Sequence, residues 1–521
     1  MEVIAHEPSG FEGCLVHVEV DIRRGLPGVD LVGLAAGAVK EARERVRAAI
    51  RNSGFEFPLD RVLINLAPAD LPKAGSAYDL PIALAVLGAS GSLPDPGRSV
   101  LALGELRLDG SVRPARGVLP AVAAALGSGI DSFIVPSENA TEARALRRGR
   151  VYPISRLDEA CVLLGLAREG AEVPATAASA RAALARAALE EAEGDLRELR
   201  GQGRLRRALE IAAAGGHNLL LLGPPGSGKT MAAQRFRALL PDLDEGEAVE
   251  VSSLYSLAGL LGPDAELERR PPFRAPHHSA SLEGLIGGGR HLRPGEISLA
   301  HRGVLFLDEA PEFRVDVLQS LREPLEEGRV SLVRAGSLAR FPADFQLLLA
   351  ANPCPCGNLG RQGKACLCSI GELQRYRRKL GGPLLDRIDI RVPVSPTPPE
   401  TLLGPPGESS SAIRARVELA IRMQASRNKG GAAGSLSRPH ARNSRLSPAQ
   451  VEAFCPLDST ALSVFRRAVE RLDLSSRACH SVMKIARTIA DLAGSETIGE
   501  NHLLEAVQHR RLCDDEIWPN D

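Results

Sequence analysis

Four consecutive leucines, Leu219 to Leu222, form an apolar run without a polar break, the pattern of a short strand buried on both faces. Gly303 to Leu307 repeats that signature further along the chain, and Phe345 to Ala351 does so apart from Gln346. Elsewhere the period differs. Val16 to Ile22 alternates apolar and polar residues as a half-buried strand does, and Val62 to Leu66 predicts another strand. Val39 to Ile50 places apolar residues at helical spacing among Arg and Glu, and Leu205 to Ala214 predicts an amphipathic helix. Towards the C-terminus only helical periodicity remains, over Leu462 to Leu474, Arg477 to Leu492 and Gly499 to His509. The chain therefore reads as α/β, with a parallel sheet at its centre and an all-α segment at its end.

Each of the three apolar runs ends in a chemical group. Leu222 leads into Gly223-Pro224-Pro225-Gly226-Ser227-Gly228-Lys229-Thr230, which fits the P-loop pattern G-x-x-x-x-G-K-[ST] position for position. Glycines let such a loop turn its backbone N–H groups toward a polyphosphate, and a helix beginning near Lys229 adds its positive end. Lys229 is expected to reach the β- and γ-phosphates of ATP, and the Thr230 hydroxyl to ligate Mg²⁺. The second run ends in Asp308-Glu309, as a Walker B motif does. Asp308 would hold the Mg²⁺ shell and Glu309 would activate the attacking water. The third ends at Asn352, either a sensor that orients water or contacts the γ-phosphate, or a turn residue ahead of Pro353.

Length and composition frame these motifs. A chain of 521 residues is too long for one ordinary core. The pattern divides it into a mixed α/β domain over 1–165, an alanine-rich tether over 166–198, a P-loop core over 199–395, and a linker with a helical lid over 396–521. Pro393 to Ser411 is rich in Pro, Gly and Ser and reads as a connector. The 64 basic residues balance 64 acidic ones, so any nucleic-acid surface has to be local. Arg422 to Arg445 is one such basic stretch, although a solvated loop is its more frequent explanation. No signal peptide and no membrane-length apolar run is present, from which a cytoplasmic location is expected. In that reducing compartment the spacing of Cys354, Cys356, Cys366 and Cys368 favours a closed tetrahedral Zn²⁺ site over four free thiols.

In the first domain, Pro72 to Ala83 followed by Leu103 to Pro114 resembles the proteolytic domain of Lon-type proteases. Aligned without gaps, Ala77 takes the position of that family's nucleophilic serine and Leu119 that of its lysine. Ser76 is adjacent, yet no lysine lies between Lys73 and Lys229, so the resemblance implies a protease fold without protease chemistry.

Leu384-Leu-Asp-Arg-Ile-Asp-Ile-Arg391 and Ser475-Ser-Arg-Ala-Cys-His480 carry a wider resemblance. Over nearly its whole length the chain resembles the YifB/ComM family of magnesium-chelatase-like AAA+ ATPases. The resemblance implies a Lon-like domain, an AAA+ module and a chelatase-type lid. It implies that Arg387 is an arginine finger entering a neighbouring subunit's site and that Arg477 is the sensor-2 arginine. It also implies two insertions, one around Phe273 to Ser281 and a β-hairpin from Glu326 to Ser337, which in related motors lines a central pore. Arg329, Arg334 and Arg340 would face phosphates there, with no aromatic residue for base stacking. His277 and His278 are ligands, pore contacts or packed turn residues, the last two being favoured. The function implied is that of a homohexameric DNA motor, a helicase promoting branch migration in homologous recombination during natural transformation. Rival readings are a chelatase-type or remodelling motor acting on a protein partner, an ATP-dependent protease, and a nucleotide-gated scaffold.

Overall fold

The computed structural model describes residues 2–511 except 35–36, 74, 94, 96, 161, 165–193, 263–264, 290–291, 335–336, 362 and 430–441. The alanine-rich stretch Glu169 to Glu193, expected as a tether, lies outside the described residues.

The first unit contains β1 (Val3–Glu7), β2 (Cys14–Arg23), β3 (Gly28–Val32), β4 (Arg61–Ala67), β5 (Val100–Ala102), β6 (Glu105–Leu106), β7 (Val112–Arg113), β8 (Ser132–Pro136) and β9 (Arg150–Ile154). Seven of these form a mixed sheet in the order β3-β4-β2-β1-β5-β8-β9, while β6 and β7 make a separate ribbon. The alternation in β2 does what period two requires. Val16 and Val18 are buried, and in the antiparallel register with β4 Val18, Val20 and Ile22 face Leu66, Ile64 and Val62. The helices Gly37–Asn52 and Asp79–Ala89 cover the sheet, and Arg45 reaches the buried Asp79 through two hydrogen bonds of 2.9 and 3.0 Å.

The central unit holds β10 (Leu219–Leu222), β11 (Phe273–Arg274), β12 (Gly287–Gly288), β13 (Arg293–Pro294), β14 (Val304–Leu307), β15 (Arg329–Arg334), β16 (Ser337–Pro342), β17 (Gln346–Ala351) and β18 (Ile390–Pro393). Its main sheet has the order β11-β14-β17-β10-β18, and every neighbouring pair is parallel. The unbroken leucine run follows from two-sided burial. Leu219 and Leu221 pack into the cluster shared with the lid, whereas Leu220 and Leu222 enter the cluster on the opposite face. Full burial of each leucine contributes roughly 1.5–3 kcal/mol. The packing of this unit begins at Leu196, which lies with Leu199 in the first of those clusters.

The expected hairpin forms from β15 and β16, with Arg329 opposite Pro342 and Arg334 opposite Ser337. Its base is held by the first unit. The Phe11 N–H donates to the Arg340 carbonyl at 2.9 Å, and Gly10 lies so close that a Cβ there would sit 2.7 Å from Arg340 backbone atoms. The helix Val118–Gly127 also packs on the helix Glu245–Ala258, where the Ser256 hydroxyl donates to Glu142.

The connector after β18 carries a short helix, Pro399–Leu402, and ends where a longer helix begins at Ser410 and runs to Lys429. The lid helices Pro448–Phe454, Ser459–Leu472, Ser476–Leu492 and Glu500–Arg511 follow. Three of them match the expected helical segments to within a few residues. Val482, Ile485 and Ile489 pack with Leu209 and Leu219, so lid and sheet share one core. Inside it Arg487 is only 1% exposed and donates to Asp491 at 3.0 Å and to the carbonyls of Glu496 and Ser495. Arg427 and Asn443 hold the same carboxylate.

Removing one partner from a buried charge pair leaves the other uncompensated. Asp491→Ala is therefore expected to lower the unfolding free energy of the lid by about 3–5 kcal/mol. Asp158→Ala, which breaks the exposed pair with Arg156, is expected to cost under about 1 kcal/mol. Denaturant unfolding of both variants measures the contrast, and equal midpoints would refute it.

Candidate functional site

Parallel strands deliver their last residues to one edge, and three motifs meet there. Gly223 passes flush against the end of β18: a Cβ at this position would lie 2.1 Å from the Val394 carbonyl oxygen. Gly226 and Gly228 take φ of 78° and 91°, open to glycine at no steric cost, and Gly228 caps the helix Lys229–Phe236. Lys229 is buried, and its Nζ donates to the carbonyls of Gly223 and Pro224 at 2.7 and 2.9 Å and to Asn352 Oδ1 at 3.1 Å. Burial pushes the Lys229 ammonium down, against the pull of the Asp308 and Glu309 carboxylates. Thr230 Oγ1 donates to Asp308 Oδ2 at 2.7 Å. Asn352 thus reaches the P-loop lysine from the neighbouring strand, a contact that a simple turn role does not explain.

Glu309 is exposed and has a φ of 50°. A left-handed conformation costs a non-glycine residue about 1–2 kcal/mol, and such outliers cluster where function holds a side chain in place. Here it turns the chain out of β14 directly after Asp308, whose Oδ1 accepts the Glu309 N–H at 2.9 Å.

The four clustered cysteines begin two residues beyond Asn352. Their sulfurs lie 3.4 Å apart for Cys354 and Cys356, 3.6 Å for Cys356 and Cys366, and 3.7 Å for Cys354 and Cys366; all four fall within 4.8 Å of one another. The Asn358 backbone N–H draws the Cys356 thiol down to about 6, while burial pushes the Cys354 thiol up and Cys368 stands raised to about 12. Gly357, within this loop, packs on the P-loop. It has φ of 72°, and a Cβ there would meet Pro225 Cγ at 2.7 Å.

Arg387 and Arg477 lie together, but at the other end of the sheet. Asn218, just ahead of β10, donates from its amide to the Arg387 carbonyl at 2.9 Å, whereas the P-loop starts after Leu222. At about 3.3 Å per strand residue, some 13 Å of β10 separates the two regions. Both guanidinium groups pair with Glu326 Oε1, Arg477 at 3.0 Å and Arg387 more closely. Arg387 Nε has no acceptor among the described residues.

Three family descriptions match most of the chain: subunit ChlI of Mg-chelatase over residues 18–139, magnesium chelatase, subunit ChlI over 195–402, and the ChlI C-terminal region over 407–510. The chain is 40% identical over 523 residues to competence protein ComM of Haemophilus influenzae, covering 98% of this chain and 97% of that protein. It is 42% identical over 501 residues to YifB of Escherichia coli, covering 95% and 94%, and 43% identical over 511 residues to a protein of Mycobacterium tuberculosis, covering 96% and 97%. The chain belongs to the YifB/ComM family.

It is accordingly an AAA+ ATPase of the magnesium-chelatase-like type. Other sequence-level candidates in this family member fall as follows. Ala77 and Ser76 line a cavity of about 350 Å³ between the first unit and the core, where Ser76 donates to Glu105 and Glu105 also accepts from Arg113 at 2.8 Å. Leu119 is buried elsewhere, its N–H donating to Glu142 at 2.9 Å, and Lys73 Nζ donates to the Pro68 carbonyl. His277 and His278 stack with ring centroids 4.0 Å apart, and among the described residues they belong to no metal-ligating group. Of the basic stretch Arg422 to Arg445, residues 430–441 lie outside the described residues, Arg422 is exposed, and three other arginines have partners. Arg427 pairs with Asp491, Arg442 donates to the Ala213 carbonyl, and Arg445 pairs with Asp344. Sequence reading missed Glu326 and the contact of Gly357 with Pro225, since neither leaves a local pattern.

No described helix in this YifB/ComM member is long and apolar enough to cross a membrane. The contact of Gly357 with Pro225 makes a prediction. Gly357→Ala adds left-handed strain of about 1–2 kcal/mol and a clash with a rigid ring, so nucleotide affinity is expected to fall about tenfold, since 1.4 kcal/mol is a factor of ten. Titration with a fluorescent ATP analogue decides it; unchanged affinity would separate the cysteine loop from the nucleotide site.

Proposed function

We propose that the protein is a homohexameric, ATP-dependent DNA motor, a helicase promoting branch migration in homologous recombination during natural transformation. The observation that carries this reading is the placement of Arg387 and Arg477 at the edge of the sheet opposite the P-loop of the same chain. Neither side chain can serve its own subunit's phosphates across that distance, so they serve a neighbour's, and a closed ring is the symmetric arrangement in which every interface repeats.

Within one subunit, Gly223, Pro224, Pro225, Gly226, Ser227, Gly228, Lys229 and Thr230 cradle the phosphates of ATP, and Lys229 exchanges its carbonyl partners for phosphate oxygens. Thr230 and Asp308, already 2.7 Å apart, supply the oxygen ligands for Mg²⁺, whose chemistry is to neutralise charge on the transferred phosphoryl group. Glu309 takes a proton from the attacking water, and Asn352 orients it. Arg387 and Arg477 come from the adjacent subunit to meet charge that spreads over the γ-phosphoryl oxygens. The hairpin of β15 and β16 contacts DNA through the exposed Arg329, Arg334 and Arg340, which suits backbone phosphates without base stacking. The first unit retains a Lon-like form without a nucleophile, because Ala77 and Leu119 occupy the reacting positions. A motor acting on a protein partner shares the same ATP site and differs only in what enters the pore.

The cysteine cluster fits Zn²⁺. A zinc–sulfur distance of about 2.3 Å gives a tetrahedron with edges of about 3.8 Å, close to the sulfur separations of 3.4–3.7 Å. Cys354, Cys356, Cys366 and Cys368 would together fill its coordination shell, so an ion held there would be structural.

Two predictions test this reading. Arg387→Ala is expected to bind ATP normally while losing roughly 10³ to 10⁵ in turnover, and mixing it with Lys229→Ala protein restores activity through interfaces that pair an intact P-loop with an intact finger. Branched and single-stranded DNA raise the wild-type rate at moderate salt; a rate indifferent to DNA would favour a protein partner or a scaffold. Elemental analysis is expected to find about one zinc per chain and none in a Cys366→Ser, Cys368→Ser double variant. Metal-free wild-type protein with full ATP affinity would refute the zinc site.

A further inference from the structure

Glu326 lies between the hairpin and the two arginines. We propose that Glu326 is a positioning residue: its carboxylate sets the Arg387 and Arg477 pair and couples that pair to the β15–β16 hairpin. The inference rests on the reading of Arg387 as a finger acting on a neighbouring subunit and adds the element that controls it.

Three observations carry it. First, one oxygen, Glu326 Oε1, accepts from both guanidinium groups. Arg387 comes from the loop before β18 and Arg477 from the first turn of the lid helix Ser476–Leu492; Ser481 on that helix also donates to Asp389 of the same loop at 2.6 Å, and Glu326 is the carboxylate that bridges the two guanidinium groups themselves. Among the described residues no other carboxylate forms an ion pair with either. Asp389 is taken by His217 and Ser481, Asp386 lies 4.0 Å from Arg510, and Arg322 adds further positive charge beside Arg387. Without Glu326 the pair would repel and separate.

Second, Glu326 is joined rigidly to the hairpin. It lies in the last turn of the helix Arg322–Glu327, Gly328 ends that helix with φ of 67°, and β15 starts at Arg329. Leu325 and Val330, on either side, are buried in one cluster, and the Ala343 N–H donates to the Gly328 carbonyl at 2.8 Å. A displacement of the hairpin therefore moves the carboxylate. Third, the lid is tied to the same turn, since Arg445 Nη1 donates to the Leu325 carbonyl at 2.8 Å.

Glu326→Gln keeps the shape and removes the charge. The expected result is an assembled protein with unchanged DNA affinity and ATP KM, whose DNA-stimulated kcat falls about 10²-fold, the scale of an ångström misplacement. Glu326→Asp, which keeps the charge at shorter reach, recovers part of that loss. The double variant Glu326→Gln, Arg387→Ala is no slower than Arg387→Ala alone, because both changes act through the same guanidinium. Wild-type kcat and DNA stimulation in Glu326→Gln would overturn the inference, as would additive losses in the double variant or a change confined to KM. These results separate from failure of the finger itself. If Arg387→Ala hydrolyses ATP like wild type, both readings fall; if it is inactive while Glu326→Gln is normal, only the role of Glu326 falls.

Discussion

The direction shared by the five core strands is the constraint on which the rest depends. Since β10, β14 and β17 run parallel and adjacent, their C-terminal residues arrive side by side, and Lys229, Asp308, Glu309 and Asn352 meet without any long loop. A parallel sheet must be covered on both faces, which is why β10 and β14 read as unbroken apolar runs. The same polarity sends Asn218, Arg387 and the lid arginine Arg477 to the opposite edge. One chain thus carries the P-loop and the arginine pair at opposite edges of its sheet, which is why the proposed site takes its arginines from a neighbour.

The first unit bears on this arrangement through the hairpin. Gly10 and Phe11 hold the β16 backbone at Arg340, and Ala339 and Phe341 pack with Leu254 and Leu257 of the helix Glu245–Ala258, against which the first unit also rests. The hairpin base is accordingly fixed from two sides, while its outer residues Val333 and Leu338 stay exposed at 75% and 48%. Glu326 adjoins that held base, in the last turn of the helix that leads into β15.

Much of this was legible in the residues because period and motif are local. The strand of Leu219 to Leu222, the P-loop after it and the acids closing the β14 run all come from contiguous positions. The alternation of Val16 to Ile22 and the helical spacing of the lid did the same for elements with one buried face. What stayed hidden is long-range. Glu326 looks like one surface acid among many, and its pairing depends on the lid folding back across 151 residues of sequence. Arg427 and Arg445 read as part of a basic stretch because their partners Asp491 and Asp344 are remote in sequence. Pro393 to Ser411 reads as a connector from composition, although its Ser410 forms hydrogen bonds to Asp195 and the Leu196 N–H and begins a helix. Composition describes what a segment is made of, whereas packing decides what it joins.

The cysteine loop follows from an energetic argument that the motif alone does not contain. Between Cys354 and Ile370 the chain buries little apolar surface: Leu367 is 90% exposed and Ile370 62%, and Cys354 and Gly357 are among the few buried residues. Fixing a backbone costs about 1–2 kcal/mol per residue. Apolar burial on this scale does not offset that cost, so such a loop needs a crosslink to hold Gly357 against Pro225. Disulfides would pair the sulfurs at about 2 Å and draw Cys354, Cys356 and Cys366 out of their mutual spacing of 3.4–3.7 Å; a single ion held by the cluster would leave that spacing nearly intact. The loop starts two residues beyond Asn352 and rests on the P-loop through Gly357 and Pro225, so a metal held there would stiffen the wall of the nucleotide site.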